Sequence, residues 1–413
     1  MTSPVWHPFT QHGLAEPIPL VTHAEGAALY TQDGRRVIDA ISSWWVTTHG
    51  HCHPRIMEAI RAQAGKLDQI IFAGWTHAPA EELAERLVAL IGNRLPHVFY
   101  SDSGSTSVEV ALKMALGFWL NRGEPRHRIL AMAHGYHGDT IGTMSVGARG
   151  VFNRAYAPLL FDIDSIPFPH GDGVGTLEAL ERACRAKPAA LIVEPLVLGA
   201  GGMLFYDAAI LREMRAICTR HDVLFIADEV MTGWGRTGTL LACDQAGVTP
   251  DILCLSKGLT GGAVPLAVTL ASQPIYDAHL SQDRARMFFH SSSYTANPIA
   301  CAAALANLDI WRDEPVLERI ATLAKRQQER LENLPAITRN ARRRGTIAAF
   351  EFGLDDADYM SGLGPRLLAF FRERDLLLRP LGNTIYVMPP YCIDEDDLDR
   401  IYGAIAEVAA RFG

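Results

Sequence analysis

Short apolar runs with no polar alternation recur along the first two thirds of the chain. They fall at Val98–Tyr100, Arg128–Ala133, Ala189–Val193, Val223–Ala227, Ile252–Leu255 and Leu266–Leu270. A strand covered on only one face would alternate apolar and polar positions, so runs like these predict strands buried on both faces. Helical periodicity falls between several of them, as in Ala208–Arg220 and in Ser105–Leu116, which opens on the hydroxyl cluster Ser105-Thr106-Ser107. Strand–helix alternation of this kind predicts an α/β fold built on a mainly parallel sheet with helices on both faces.

From about residue 316 the pattern changes. A long charged helical stretch, Val316–Leu334, precedes the apolar run Ala348–Phe352, a helix near 362–374 and the run Thr384–Met388. That mixture predicts a smaller α+β domain. Near the start, Ala28–Asp39 reads as a β-hairpin with Asp33-Gly34 at its turn. The expected organisation is an N-terminal segment (1–48) packing with the small domain, a large domain (49–315) and a C-terminal small domain (316–413).

Composition narrows the function classes. At 413 residues, with 48% hydrophobic and 20% charged positions, the chain has the balance of a globular protein too long for one core. A net charge of -8 gives no general attraction for nucleic acid or anionic lipid, so neither is expected as a partner. No stretch approaches 18 consecutive apolar residues, and the N-terminus lacks a basic region followed by an apolar one. The seven cysteines are scattered, with no C-x-x-C pair. A cytoplasmic setting with reduced thiols is the expectation.

Candidate chemistry gathers at four places. Lys257, in Ser256-Lys257-Gly258, directly follows the apolar run Ile252–Leu255. A lysine held there by apolar surroundings has a lowered pKa and can condense with an aldehyde. Asp228 ends the run Phe225-Ile226-Ala227, 29 residues before that lysine. A buried carboxylate needs a partner, and a protonated pyridine nitrogen is a suitable one. An ion pair at about 4 Å in an effective dielectric of about 20 is worth roughly 4 kcal/mol. That corresponds to roughly three pKa units, enough to hold a pyridinium near neutral pH. Ser101–Thr106 places amides, hydroxyls and a helix N-terminus together, a cradle for phosphate. Tyr136, in His134-Gly135-Tyr136-His137-Gly138, offers a ring to stack on a planar heterocycle. Taken singly, each has a plainer reading: a solvated lysine, a capping aspartate, a helix cap, a packed aromatic. His49, His51 and His53 invite a metal, but no further Cys/His set completes a zinc site, so none is expected.

Together the motifs resemble a known family. Asp228-Glu229-Val230 leading through Gly233, Gly235, Arg236 and Gly238 to Ser256-Lys257-Gly258 is similar to the class III, fold type I, pyridoxal-phosphate-dependent aminotransferases. Glu194-Pro195 and Asn297-Pro298 also fit that pattern, and the resemblance runs over essentially the whole chain. Three further stretches resemble its 7,8-diaminopelargonate synthase branch: Trp6–Thr10, Ser42–Trp45, and Arg379–Gly382 leading to Tyr386–Tyr391. That branch moves an amino group from S-adenosylmethionine to 8-amino-7-oxononanoate in biotin biosynthesis. The resemblance implies roles residue by residue. Lys257 would carry the cofactor, Asp228 pair with its ring nitrogen, Tyr136 stack on the ring and Val230 press on the other face. Gly104 and Ser105 would bind the phosphate, with Ser293 of a neighbouring subunit in a homodimer. Phe9, Trp44, Trp45 and Tyr386 would line the substrate slot, and Arg379 would meet the acceptor carboxylate. Arg236 is expected to cap the site or brace Asp139 and Glu229.

Two departures keep the amino donor open. Phe9 stands where the S-adenosylmethionine users commonly carry tyrosine, and Ser291-Ser292-Ser293 replaces their Gly-Pro-Thr after His290. Lysine as donor, or an ornithine- or 4-aminobutyrate-type ω-amine reaction, remains an alternative. An amino-group isomerase and a cofactor-sensing binding protein are the readings outside this class.

Overall fold

The computed structural model describes residues 3–352 and 362–412. Its centre is a seven-stranded sheet in the spatial order His97–Ser101, Ala267–Ala271, Ile252–Leu255, Leu224–Asp228, Ala190–Val193, Ile129–Met132 and Asp164–Ile166. Five strands, from 252–255 to 164–166, run parallel. Ala267–Ala271 alone is reversed, antiparallel to both of its neighbours.

The apolar runs are strands because both faces are covered. One cluster of buried side chains joins Val108, Leu112 and Trp119 of the helix Gly104–Asn121 to Ile129, Ile192, Ile226 and Ile252. A second cluster on alternate positions of the same strands joins Leu130, Leu191, Phe225 and Leu253 to Leu211, Met214 and Cys218 of the helix Ala208–Arg220. Alternate residues of a strand face opposite ways, so a strand between two helical layers carries no polar position.

The hairpin Ala28–Thr31/Arg36–Asp39 pairs in register, and Asp39 lies opposite Leu377 in a parallel pairing with Leu376–Leu377. Ala27, Ile38 and Ala40 share a buried cluster with Phe350, Leu367, Phe371, Leu398 and Ile405. Close by, Thr338–Arg344, Ile347–Phe352 and Thr384–Val387 form an antiparallel three-stranded sheet. Among the described residues, no helix is long and apolar enough to cross a membrane.

Candidate active site

Parallel strands open a crevice at their carboxyl ends, where loops leave the sheet. The candidate residues fall there. Asp228 is the last residue of its strand and sits opposite Cys254, three positions before Lys257. Tyr136 and Glu194 follow the ends of Ile129–Met132 and Ala190–Val193.

Lys257 opens a short 3-10 turn with φ of +44°, a conformation that turns its side chain off the strand direction. Its Nζ lies 5.3 Å from the centre of the Trp45 ring. Burial lowers its pKa, and the charges of Asp228 and Glu194 oppose that shift only in part. A lysine of this kind spends more time as the free amine, the form that attacks carbonyl carbon and accepts protons.

Asp228 is buried and held from two sides. His137 Nδ1 lies 2.7 Å from its Oδ2, and the Val230 amide donates to its Oδ1 at 3.1 Å. Burial works to lower the His137 pKa, but the bond to Asp228 and its charge raise it overall. The other His137 nitrogen, Nε2, is buried with no partner. His137 lies within a stretch singled out by sequence, yet nothing there marks it as the partner of an aspartate 91 residues away.

Glu194 clasps the Tyr136 loop. Its Oε1 accepts the Tyr136 amide at 2.9 Å and its Oε2 the Gly199 amide at 3.0 Å. Burial pushes its carboxyl up to about 7, against the pull of His137. Tyr136 keeps 38% of its surface exposed, so part of the side chain is open to a ligand. Burial and the nearby Asp139 raise its phenol pKa, which keeps it neutral.

The helix Gly104–Asn121 begins on a reciprocal cap: Ser103 Oγ accepts the Thr106 amide, and Thr106 Oγ1 accepts the Ser103 amide. The amides of Gly104 and Ser105, the first two helical positions, lie outside that cap. A Cβ on Gly104 would come within 2.6 Å of Val230 Cγ1, so only glycine lets the helix start approach Val230 this closely. Gly138, with φ of +134°, comes equally close to Ser105, whose Oγ accepts the Asp139 amide. Phosphate cradle, Val230, Asp228 and Lys257 are thus joined by direct contacts or short backbone steps.

The residues expected to line the substrate slot separate into two groups. Trp45 is buried, its Nε1 donating to Tyr386 Oη at 3.1 Å. Trp44 is 40% exposed and meets Phe9 edge-on at 5.4 Å between ring centres. The Arg379 guanidinium lies over both rings, 5.5 Å from Trp44 and 6.0 Å from Phe9. Phe152, not anticipated from sequence, packs edge-on against Phe9. Ser293 is exposed, with its carbonyl accepting from Gln69, while Ser292 Oγ donates to Asp102 at 2.6 Å.

Arg236 corrects an expectation. It braces neither Asp139 nor Glu229 but donates to the carbonyls of Thr47, at 2.7 Å, and Pro389, at 3.1 Å, with its guanidinium over the Tyr391 ring. Glu229 is already satisfied by the amides of Ala242 and Cys243. The three histidines of 49–53 diverge onto Asn307, Asp39 and Glu314. Among the described residues, no cluster of His, Cys, Asp or Glu is grouped to hold a metal ion.

The Aminotransferase class-III family matches residues 10–409. The chain is a class III aminotransferase. It is 47% identical over 98% of both chains to the adenosylmethionine-8-amino-7-oxononanoate aminotransferase of Synechococcus elongatus. It is 40% identical to the protein of the same name from Geobacter sulfurreducens, covering 96% of this chain and 93% of that one. The crystal structure of the Methanocaldococcus jannaschii enzyme of that name superposes with a TM-score of 0.94 at 33% identity, covering 99% of this chain and 97% of that one. A PLP-bound amine transaminase from an uncultivated Pseudomonas species superposes at 0.92, also 33% identical, over the whole of both chains. The fold is that of the fold type I PLP transaminases, and this class III aminotransferase is a transaminase of the pyridoxal-phosphate-dependent kind.

The residues present fit that cofactor. A lysine with lowered pKa, a buried carboxylate held by a histidine, a half-open tyrosine ring and a helix start with two uncapped amides are one complementary set.

Proposed function

We propose that this class III aminotransferase transfers an amino group from S-adenosylmethionine to 8-amino-7-oxononanoate, giving 7,8-diaminononanoate for biotin biosynthesis, with pyridoxal phosphate bound at Lys257. The observation that carries the reading is the run of aromatic side chains beside Lys257, from buried Trp45 and Tyr386 to exposed Trp44 and Phe9 under the Arg379 guanidinium. An apolar channel with one cation at its mouth suits a long aliphatic acid, and relatives with full-length similarity carry that reaction in their names.

Bound pyridoxal phosphate supplies an electron sink for negative charge developed at the substrate carbon that bears nitrogen. Asp228, fixed by His137 and the Val230 amide, would hold the cofactor's ring nitrogen and keep a proton on it. Tyr136 and Val230 would hold the ring, and the amides of Gly104 and Ser105 would take the phosphate. Lys257, as a buried free amine beside the bound substrate, would take a proton from the substrate carbon that bears nitrogen and later give one back, acting as base and then acid. For the keto acid, Arg379 would meet the carboxylate and Lys257 would move the proton in the opposite direction.

The site residues belong to a large domain, 49–315, completed by the N-terminal segment and the 316–413 domain. A homodimer is part of the same reading, and a second observation supports it. Ile71, Trp75, Phe289 and Tyr294 are each more than 60% exposed, on segments joined by Gln69 to Ser293 and Asn297. Apolar surface of this kind marks a protein contact, and Ser293, exposed on the same surface, is the residue proposed to reach the phosphate of the neighbouring subunit. Seven unpaired thiols accord with a cytoplasmic setting.

The test is mass-spectrometric detection of 7,8-diaminononanoate from purified holoenzyme given 8-amino-7-oxononanoate and one donor at a time. Product with S-adenosylmethionine and none with lysine supports the reading. Product with lysine alone assigns the other donor, and product with neither overturns the acceptor.

A further inference from the structure

Four consecutive residues, Ser42, Ser43, Trp44 and Trp45, have positive φ: +53°, +58°, +141° and +71°. None is glycine, and side chains with a Cβ seldom adopt such angles even singly. A run of four persists only if the surroundings impose it. This segment carries both tryptophans of the substrate slot, so whatever imposes it sets the slot's shape.

The constraint converges on one carboxylate. Asp39 is fully buried at the end of the strand Arg36–Asp39. Its Oδ1 accepts the amides of Ser43 at 2.8 Å and Ile41 at 3.3 Å. Its Oδ2 accepts Ser43 Oγ at 2.9 Å and His51 Nε2 at 2.8 Å. Both oxygens therefore face two donors each. An asparagine in either orientation would turn its NH2 group toward two of those donors, so shape alone does not replace the charge. Asp39 touches neither Lys257 nor the slot side chains. It acts through the backbone of the loop that bears them, while Ser42 Oγ ties the same loop to Met388 O at 2.8 Å.

We propose that Asp39 is a positioning residue for the acceptor slot: its carboxylate holds residues 41–45 in the left-handed run that seats Trp45 beside Lys257 and turns Trp44 toward Arg379. The proposal rests on the reading that the two tryptophans line the slot for the keto acid. Removing a hydrogen-bonded charge from a buried four-donor set lets the loop relax toward ordinary angles, and the slot loses its walls before Lys257 loses its place.

The experiment compares wild-type holoenzyme with Asp39→Asn and with Ser43→Ala, which removes one of the four donors and leaves the carboxylate. Steady-state kinetics with 8-amino-7-oxononanoate and amide hydrogen exchange of peptides covering 41–46 are the two readouts. For Asp39→Asn, the KM for the keto acid rises about tenfold, kcat falls by a smaller factor, and the amides of 41–46 exchange faster. Ser43→Ala gives a smaller change in the same direction, and it decides the matter if Asp39→Asn does not fold. Unchanged exchange across 41–46 in the folded variants overturns the proposal, as does a fall in kcat with KM unmoved. If wild-type protein does not use this keto acid, the functional reading fails instead. The exchange measurement alone then decides whether Asp39 holds the loop.

Discussion

Replacing Asp228 by asparagine removes one charge from the site and almost no volume. The carboxylate is buried, and its fixed partners are His137 at 2.7 Å and the Val230 amide at 3.1 Å. The amide side chain keeps an acceptor for Val230 and loses the charge that His137 and the cofactor's ring nitrogen both face. Two unit charges about 4 Å apart in an effective dielectric of about 20 attract by roughly 4 kcal/mol. That is roughly three pKa units at the ring nitrogen. The electron sink weakens by up to the same amount, so the donor half-reaction slows by about a thousandfold. The same carboxylate raises the His137 pKa, so its removal also takes away what favours a positive charge on that side. The assay is stopped-flow absorbance of holoenzyme mixed with S-adenosylmethionine, following loss of the cofactor band in a single turnover, with cofactor content measured separately. A half-reaction within tenfold of wild type, at full cofactor occupancy, refutes this role for Asp228.

Three further outcomes follow from the geometry. Lys257→Ala abolishes turnover in cofactor-loaded protein, because it removes the buried amine beside Trp45; product formation within a hundredfold of wild type contradicts this. Arg379→Ala raises the KM for the keto acid by about 10- to 100-fold, the loss of one charge-assisted hydrogen bond; an unchanged KM removes Arg379 from the slot. Glu229 gives a pH dependence. Burial pushes its carboxyl from 4.5 up to about 7. A raised pKa favours the folded state fully below about 4.5, and that contribution fades as pH rises through 7. Between pH 5 and 8 the wild type therefore loses about 2–3 kcal/mol that Glu229→Gln does not lose. Urea unfolding across that range checks it: parallel stability profiles contradict the shift.

How much of this was legible in the chain depended on the kind of signal. Buried strands announce themselves as apolar runs, so the positions of Ile252–Leu255 and Leu224–Asp228 were readable, and with them the placing of Asp228 and Lys257 at strand ends. An apolar run carries no direction, and the reversal of Ala267–Ala271 between two neighbours was not readable. A local cap was legible in part: Ser101–Thr106 read as a phosphate cradle or a plain helix cap, and Ser103 and Thr106 do form a reciprocal cap. Long-range pairs were not. His137 meets Asp228 across 91 residues, Arg236 finds the carbonyls of Thr47 and Pro389, and Trp45 meets Tyr386 across 341. Trp44 and Trp45 read as equivalent in sequence, yet one is exposed and the other buried, because four left-handed residues turn adjacent side chains in ways that strand or helix periodicity does not describe.

The most direct measurement is borohydride reduction of the cofactor-loaded protein, followed by peptide mapping by mass spectrometry. The account predicts one modified peptide, carrying the reduced cofactor on Lys257, and none in Lys257→Ala. Attachment at another lysine, or bound cofactor with no covalent attachment at all, would contradict it.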